Sequence, residues 1–123
     1  MIKDMLSEVT TTPKKVVLSF IDALNNEDFD AAQDLVSNDM VFNGVLGSRN
    51  GAEEYFNDMR KMKFKYEVLK AFADQNDVCL LYDIAMGDKK IFTCGWYQVE
   101  DDKIKLIRVV FDPRPVLEGG AKK

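Results

Sequence analysis

Residues 78–111 read VCLLYDIAMGDKKIFTCGWYQVEDDKIKLIRVVF. Val78, Leu80, Tyr82, Ile84 and Met86 fall on every second position, the period of a strand with one buried face. Gly87-Asp88 has the composition of a two-residue hairpin turn. The next strand runs from Lys89 to Val99, with Ile91, Thr93, Tyr97 and Val99 on the same side as Tyr82. Glu100-Asp101-Asp102 turns the chain again, and Ile104 to Phe111 form a last strand. Asp112-Pro113-Arg114-Pro115 ends it, because proline brings no N–H to a ladder. Short turns make these strands antiparallel. The first turn also sets a register, with Leu80 opposite Gly95, Tyr82 opposite Thr93 and Cys79 opposite Trp96.

Upstream, the period is helical. Thr12-Pro13 reads as an N-cap followed by proline in the first helical position. Val17, Phe20, Ile21 and Leu24 then form a stripe that predicts a helix to about Asn25. Asn25-Asn26-Glu27 is a turn. Asp28 is positioned to cap a short helix whose face is Phe29, Ala32, Leu35 and Val36. Met40 to Asn43 is a short strand. Asn50 and Glu53 resemble a capping box ahead of a third helix to which Ala52, Tyr55, Phe56, Met59 and Met62 give one apolar face. Phe64, Tyr66 and Val68 restore the strand period, which breaks after Val68 in the manner of a bulge. The expected fold is therefore α+β: three N-terminal helices packed in a strongly curved, mainly antiparallel sheet. If the sheet curls around the helices, it forms a cone with an internal pocket.

The 123 residues fit one domain, 1–123, with loose ends at 1–11 and 116–123. With 46% apolar and 31% charged residues, the composition is that of an ordinary globular chain. The net charge of −4, with no basic stripe, argues against nucleic-acid binding. No stretch has the length of a membrane span or the pattern of a signal peptide, so neither a membrane partner nor export is expected, and a cytoplasmic location is. Histidine is absent, which removes the commonest general base and the commonest zinc ligand. No metal or other cofactor is expected. Cys79 and Cys94 are too few for a disulfide framework. In the inferred register they are diagonal neighbours about 7–8 Å apart, and read as apolar fillers.

Three stretches, VVLSFIDALNNEDFDAAQDLV, MVFNGVLGSRNGAEEYF and DKIKLIRVVFDP, in this order and spacing, resemble the nuclear transport factor 2-like superfamily. That superfamily includes the SnoaL-like polyketide cyclases and the ketosteroid isomerases. The resemblance spans residues 13 to 115. It implies a cystatin-like α+β cone, usually a dimer, with a deep and mainly apolar pocket. The isomerases' oxyanion-binding tyrosine falls on Phe20, their base on Asn43 and their second acid on Gly95 or, as the less favoured alternative, Trp96. None of these can do the same chemistry. The cyclases' His-Trp-Asp segment is met by Ile107-Arg108-Val109. A limonene-epoxide-hydrolase-like set of Asp, Arg and Asp needs charges inside the cone. Here the resemblance turns Ile107, Val109 and Phe111 inward and Arg108 outward.

The residues expected around a pocket ligand are Phe20, Asn43, Tyr55, Met59, Leu80, Tyr82, Thr93, Gly95, Tyr97, Val109 and Phe111, with no catalytic residue among them. Each has a plainer reading. Asn43 either orients a ligand or simply ends a strand at an Asn-Gly turn. The hydroxyls of Tyr82, Thr93 and Tyr97 meet a ligand, water or one another. Tyr55 and Met59 belong to the apolar stripe of a helix. Glycine opposite Leu80 is expected to leave space, with Asn43 approaching it. Three functions fit: a non-catalytic binder of a small neutral hydrophobic molecule, an isomerase- or cyclase-like enzyme using an unrecognised acid such as Asp112, and an interaction module with a filled pocket. The outward sheet face carries Phe92, Trp96, Leu106 and Val110, which points to a homodimer through that face. Asp83 lies on it as well.

Overall fold

The computed structural model describes residues 12–115 and 117. The expected loose ends, apart from residue 117, lie outside them. The chain runs α1 (Pro13–Asn25), α2 (Phe29–Asp34), β1 (Val36–Asn43), β2 (Ser48–Asn50), α3 (Ala52–Met62), β3 (Lys65–Asp74), β4 (Asp77–Met86), β5 (Lys89–Glu100) and β6 (Lys103–Phe111). The strands form a single curved sheet that does not close, in the order β2-β1-β6-β5-β4-β3. The helices fill its concave side, giving the α+β cone. No helix among the described residues is long and apolar enough to cross a membrane.

Local chemistry accounts for most element boundaries. Thr12 Oγ1 accepts from Lys15 N at 3.2 Å, and Asp28 Oδ1 accepts from Ala31 N at 3.2 Å, so both predicted caps are in place. The inner face of α1, Val16, Val17, Phe20, Ile21 and Leu24, is fully buried against the sheet. Burying one such side chain contributes about 1.5–3 kcal/mol. Asp101 and Asp102 both adopt left-handed backbone, closing the β5–β6 hairpin as a two-residue turn. The β4–β5 register has Leu80 opposite Gly95, Tyr82 opposite Thr93 and Cys79 opposite Trp96, as the sequence predicts. The β3–β4 ladder shifts between Val68 and Lys70, where the alternation breaks.

Three features differ from expectation. β1 is longer than Met40–Asn43: it begins at Val36 and pairs parallel with β6. It also forms a hairpin with the unforeseen β2. The cap of α3 is Gly51, not Asn50. Asn50 is the last residue of β2, opposite Val41, and its N–H donates to Glu54 Oε1 at 3.1 Å. Gly51 can take the cap because φ there is +94°, a conformation open mainly to glycine, while its N–H donates to Met40 O at 2.7 Å.

The two cysteines are diagonal on β4 and β5, but their side chains turn toward each other. The sulfurs stand 3.6 Å apart, a thiol–thiol contact closer than the backbone spacing suggests. Burial, then the hydrogen bond to Cys94 and repulsion from it, pushes the Cys79 thiol up. Alkylation proceeds through the thiolate. Cys79 is thus expected to react with iodoacetamide more slowly than a free cysteine at pH 7, to accelerate as pH rises, and to level off at a higher pH than a free cysteine does. Mass spectrometry of time points across pH 7–10 checks this; labelling at the free-cysteine rate at pH 7 contradicts it.

Candidate functional site

Between the helices and the concave sheet face lies a cavity of about 330 Å³ that opens to the surface. This is the lower end of the usual range for small-molecule pockets. Its walls are overwhelmingly apolar. β1 and its following loop supply Phe42, Gly44, Val45, Leu46 and Gly47; α3 supplies Tyr55, Met59 and Met62; the sheet supplies Tyr66, Tyr82, Ile84, Met86, Tyr97, Ile107, Val109 and Phe111, with Phe64 just before β3. The charged lining groups are Arg49 and Asp58, whose Nε and Oδ2 are 2.6 Å apart. Both are partly exposed, so this ion pair contributes at most about 1 kcal/mol.

Inside, the polar groups are tyrosine hydroxyls. Tyr82 and Tyr97, offset along the adjacent strands β4 and β5, lean toward each other over Gly95 and hold their oxygens 2.6 Å apart. Tyr66 sets its ring edge-on to Tyr82 at 5.2 Å between centroids. The Tyr66 backbone is pinned by the Asn25 side chain, whose amide donates to Tyr66 O at 2.8 Å and accepts from Tyr66 N at 2.7 Å. The end of α1 is thus tied to the sheet edge at a cavity residue. Burial pushes all four tyrosine phenols, Tyr55, Tyr66, Tyr82 and Tyr97, above their ordinary range. They stay protonated at physiological pH and act as hydrogen-bonding groups, not as bases.

Of the residues predicted around a ligand, Tyr55, Met59, Tyr82, Tyr97, Val109 and Phe111 line the cavity. Five do not. Phe20 sits behind the wall, stacked on Tyr55 at 6.5 Å and edge-on to Phe56 and Tyr97. Leu80 is buried in the core. The Thr93 hydroxyl is satisfied by donating to Ile91 O at 3.1 Å. The space expected beside Gly95 is filled: an added Cβ would overlap the Tyr82 hydroxyl and stand 2.9 Å from Tyr97 Cε1. Asn43 takes its plainer reading. Phe42, opposite Ile107, points into the cavity, so Asn43, opposite Arg108, points away. Its Oδ1 accepts from Ser48 Oγ at 3.1 Å and closes the β1–β2 hairpin.

Asp112, the acid considered for an enzyme, is also outside the lining. It is exposed and gripped by Arg114, with Arg114 Nη2 2.6 Å from its Oδ2. The side-chain bond to Arg114, then the bond from Arg114 N, hold its carboxyl at about 2. A carboxylate that acidic is a weak base at neutral pH. Among the cavity residues not anticipated, two groups differ in how far the sequence signals them. Tyr66, Ile84, Met86 and Ile107 all lie on strand faces that alternation already turns inward. Arg49 and Asp58 come from different elements, and no spacing rule joins them.

A curved sheet holding three helices over an apolar cavity defines the nuclear transport factor 2-like class of proteins. Within it, the chain belongs to the SnoaL-like domain family, whose sequence pattern matches residues 17–107. It is 49% identical to an NTF2-like protein of unknown function from Cytophaga hutchinsonii; the match covers 88% of this chain and 96% of that one, with a TM-score of 0.86. It is 27% identical to epoxide hydrolase EphG of Mycobacterium tuberculosis, over 84% of this chain and 75% of that protein. The structure of an M. tuberculosis LEH-like epoxide hydrolase superposes with a TM-score of 0.75 at 25% identity, covering 89% of this chain and 90% of that one.

Proposed function

We propose that this protein binds a small, uncharged, mainly apolar molecule in the cone cavity without converting it. The observation that carries this reading is an open cavity whose deep polar groups are tyrosine hydroxyls, with its charged pair Arg49 and Asp58 engaged with each other. Apolar walls favour an apolar body. A charged molecule placed among them would lose its hydration without gaining a counter-ion. The open volume weighs against an interaction module whose pocket is filled by its own side chains. Organic extraction of the purified protein, followed by mass spectrometry, tests the proposal. Recovery of one neutral compound in stoichiometric amount supports it; a tightly bound charged metabolite overturns it.

The likeness to epoxide hydrolases favours a second reading. Asp58 is the carboxylate that lines the cavity, and the tyrosines are proton donors. Water activation by Asp58 with donation from a tyrosine would open an epoxide to a diol. Against it, Asp58 is already held by Arg49, and it makes no hydrogen bond to a cavity tyrosine among the described residues. Under the first reading, neither diol formation from styrene oxide nor isomerisation of a Δ5-ketosteroid is expected above background. Diol carrying label from ¹⁸O-water, lost on Asp58→Asn, establishes the second reading instead.

Assembly is proposed to be a homodimer across the convex sheet face. Phe92 and Val110 are 59% and 62% exposed there, and Trp96, 37% exposed, lies beneath Arg108 at 5.9 Å. A patch of this kind is seldom left to water. Sedimentation at micromolar concentration is expected to give a species of twice the 14.0 kDa chain mass. A single species at the chain mass overturns it.

A further inference from the structure

The proton count of the tyrosines goes one step beyond the presence of a pocket. Tyr82 and Tyr97 are 1% and 2% exposed, and both line the cavity. Each hydroxyl carries one proton. Among the described residues their sole hydrogen-bond partners are each other. One bond uses one proton. Whichever tyrosine donates, the other is left with an O–H that no protein acceptor takes. Gly95, beside the pair, contributes no polar side chain, and the Tyr82 hydroxyl occupies the place where one would begin. Because burial holds both phenols above their ordinary range, the spare proton is not shed at neutral pH. Buried N–H and O–H donors are rarely left unpaired, because stranding one costs far more than an ordinary hydrogen bond gains.

We infer that the Tyr82–Tyr97 pair is a specificity determinant of the cavity, donating its one spare proton to an acceptor oxygen, of the ketone or lactone type, on an otherwise apolar ring. This rests on the reading of the cavity as a binding site for a neutral molecule. The pair has an unusual property. It is self-completing: whichever hydroxyl is removed, the one that remains still carries an unpaired proton. Single loss therefore preserves selectivity, and only double loss abolishes it.

The test uses three bicyclic probes that differ at one position: α-tetralone with a carbonyl, 1-tetralol with a hydroxyl, and tetralin with neither. Affinities are measured by ligand-observed NMR on the full-length protein. α-Tetralone is expected to bind roughly five- to hundredfold more tightly than tetralin. 1-Tetralol, which also accepts, should fall nearer to α-tetralone. The carbonyl stretch of bound α-tetralone should move to lower frequency, reporting hydrogen bonding. Tyr82→Phe and Tyr97→Phe should each retain the preference for α-tetralone over tetralin. Y82F/Y97F should bring that ratio to about one while circular dichroism shows the fold retained. Equal binding of tetralin and α-tetralone overturns the head-group inference and leaves the pocket reading standing. A preference that survives in the double variant overturns the assignment to this pair and transfers it to Tyr55 or Tyr66. Failure of all three probes to bind overturns the pocket reading itself.

Discussion

Gly95→Ala is expected to destabilise the protein by about 1–3 kcal/mol, the usual cost of forcing extra volume into a packed site, and to abolish α-tetralone binding. The substitution adds one carbon. That carbon has nowhere to go, because the Tyr82 hydroxyl already overlaps its position and Tyr97 Cε1 is 2.9 Å away. Relief requires both rings to move, which breaks the 2.6 Å bond between their hydroxyls and pushes them into the cavity. The backbone offers no relief, since Gly95 sits mid-ladder, opposite Leu80 on one side and Val109 on the other. Urea denaturation and a probe titration measure the two effects. A variant as stable as the parent, with unchanged probe affinity, shows that the tyrosines do not fill the glycine position as described.

Phe20→Ala should have the larger effect on stability, about 3–5 kcal/mol. Phe20 is buried and joins α1 to α3 and β5 through its contacts with Tyr55, Phe56 and Tyr97. Truncation leaves a void directly behind the cavity wall. Against a typical total of about 5–15 kcal/mol, such a loss is enough to leave a marginal domain partly unfolded at 37 °C. The midpoint of urea unfolding should fall with little change in slope. A shift of less than about 1 kcal/mol would mean that α1 is not anchored through this ring.

The sheet from β4 to β6 was legible because two constraints coincide there. Strict alternation says which side chains are buried, and a two-residue turn at Gly87-Asp88 leaves a single register. Tyr82 and Tyr97 followed from it, while the resemblance turned Val109 and Phe111 inward. The same reasoning misjudged Gly95. Period-two logic places side chains above their own backbone, whereas two long aromatic side chains lean sideways into a neighbour's vacancy. Glycine within a strand marks a close approach at least as often as an opening. Asn43 was misplaced by one residue because a parallel partner has no connecting turn to set its register. Pairing of β1 with β6 is decided by tertiary packing, and the side that faces inward passes to Phe42. Asn25 read as a turn residue because a local pattern shows nothing of the backbone it binds on β3.

The parallel pairing of β1 with β6 also governs when the cavity can exist. Phe42 from β1 and Ile107 from β6 are neighbours in that ladder and both line the cavity. The two strands come from opposite ends of the domain, and the other neighbour of β1 is the three-residue β2. Long-range pairing of this kind is entropically late. During synthesis, the helices and the β3–β4–β5 meander can form while the chain is still growing, but the wall through Phe42 must wait for the final strand to leave the ribosome. A ligand of the kind proposed would therefore meet a complete cavity only after β6 has docked against β1.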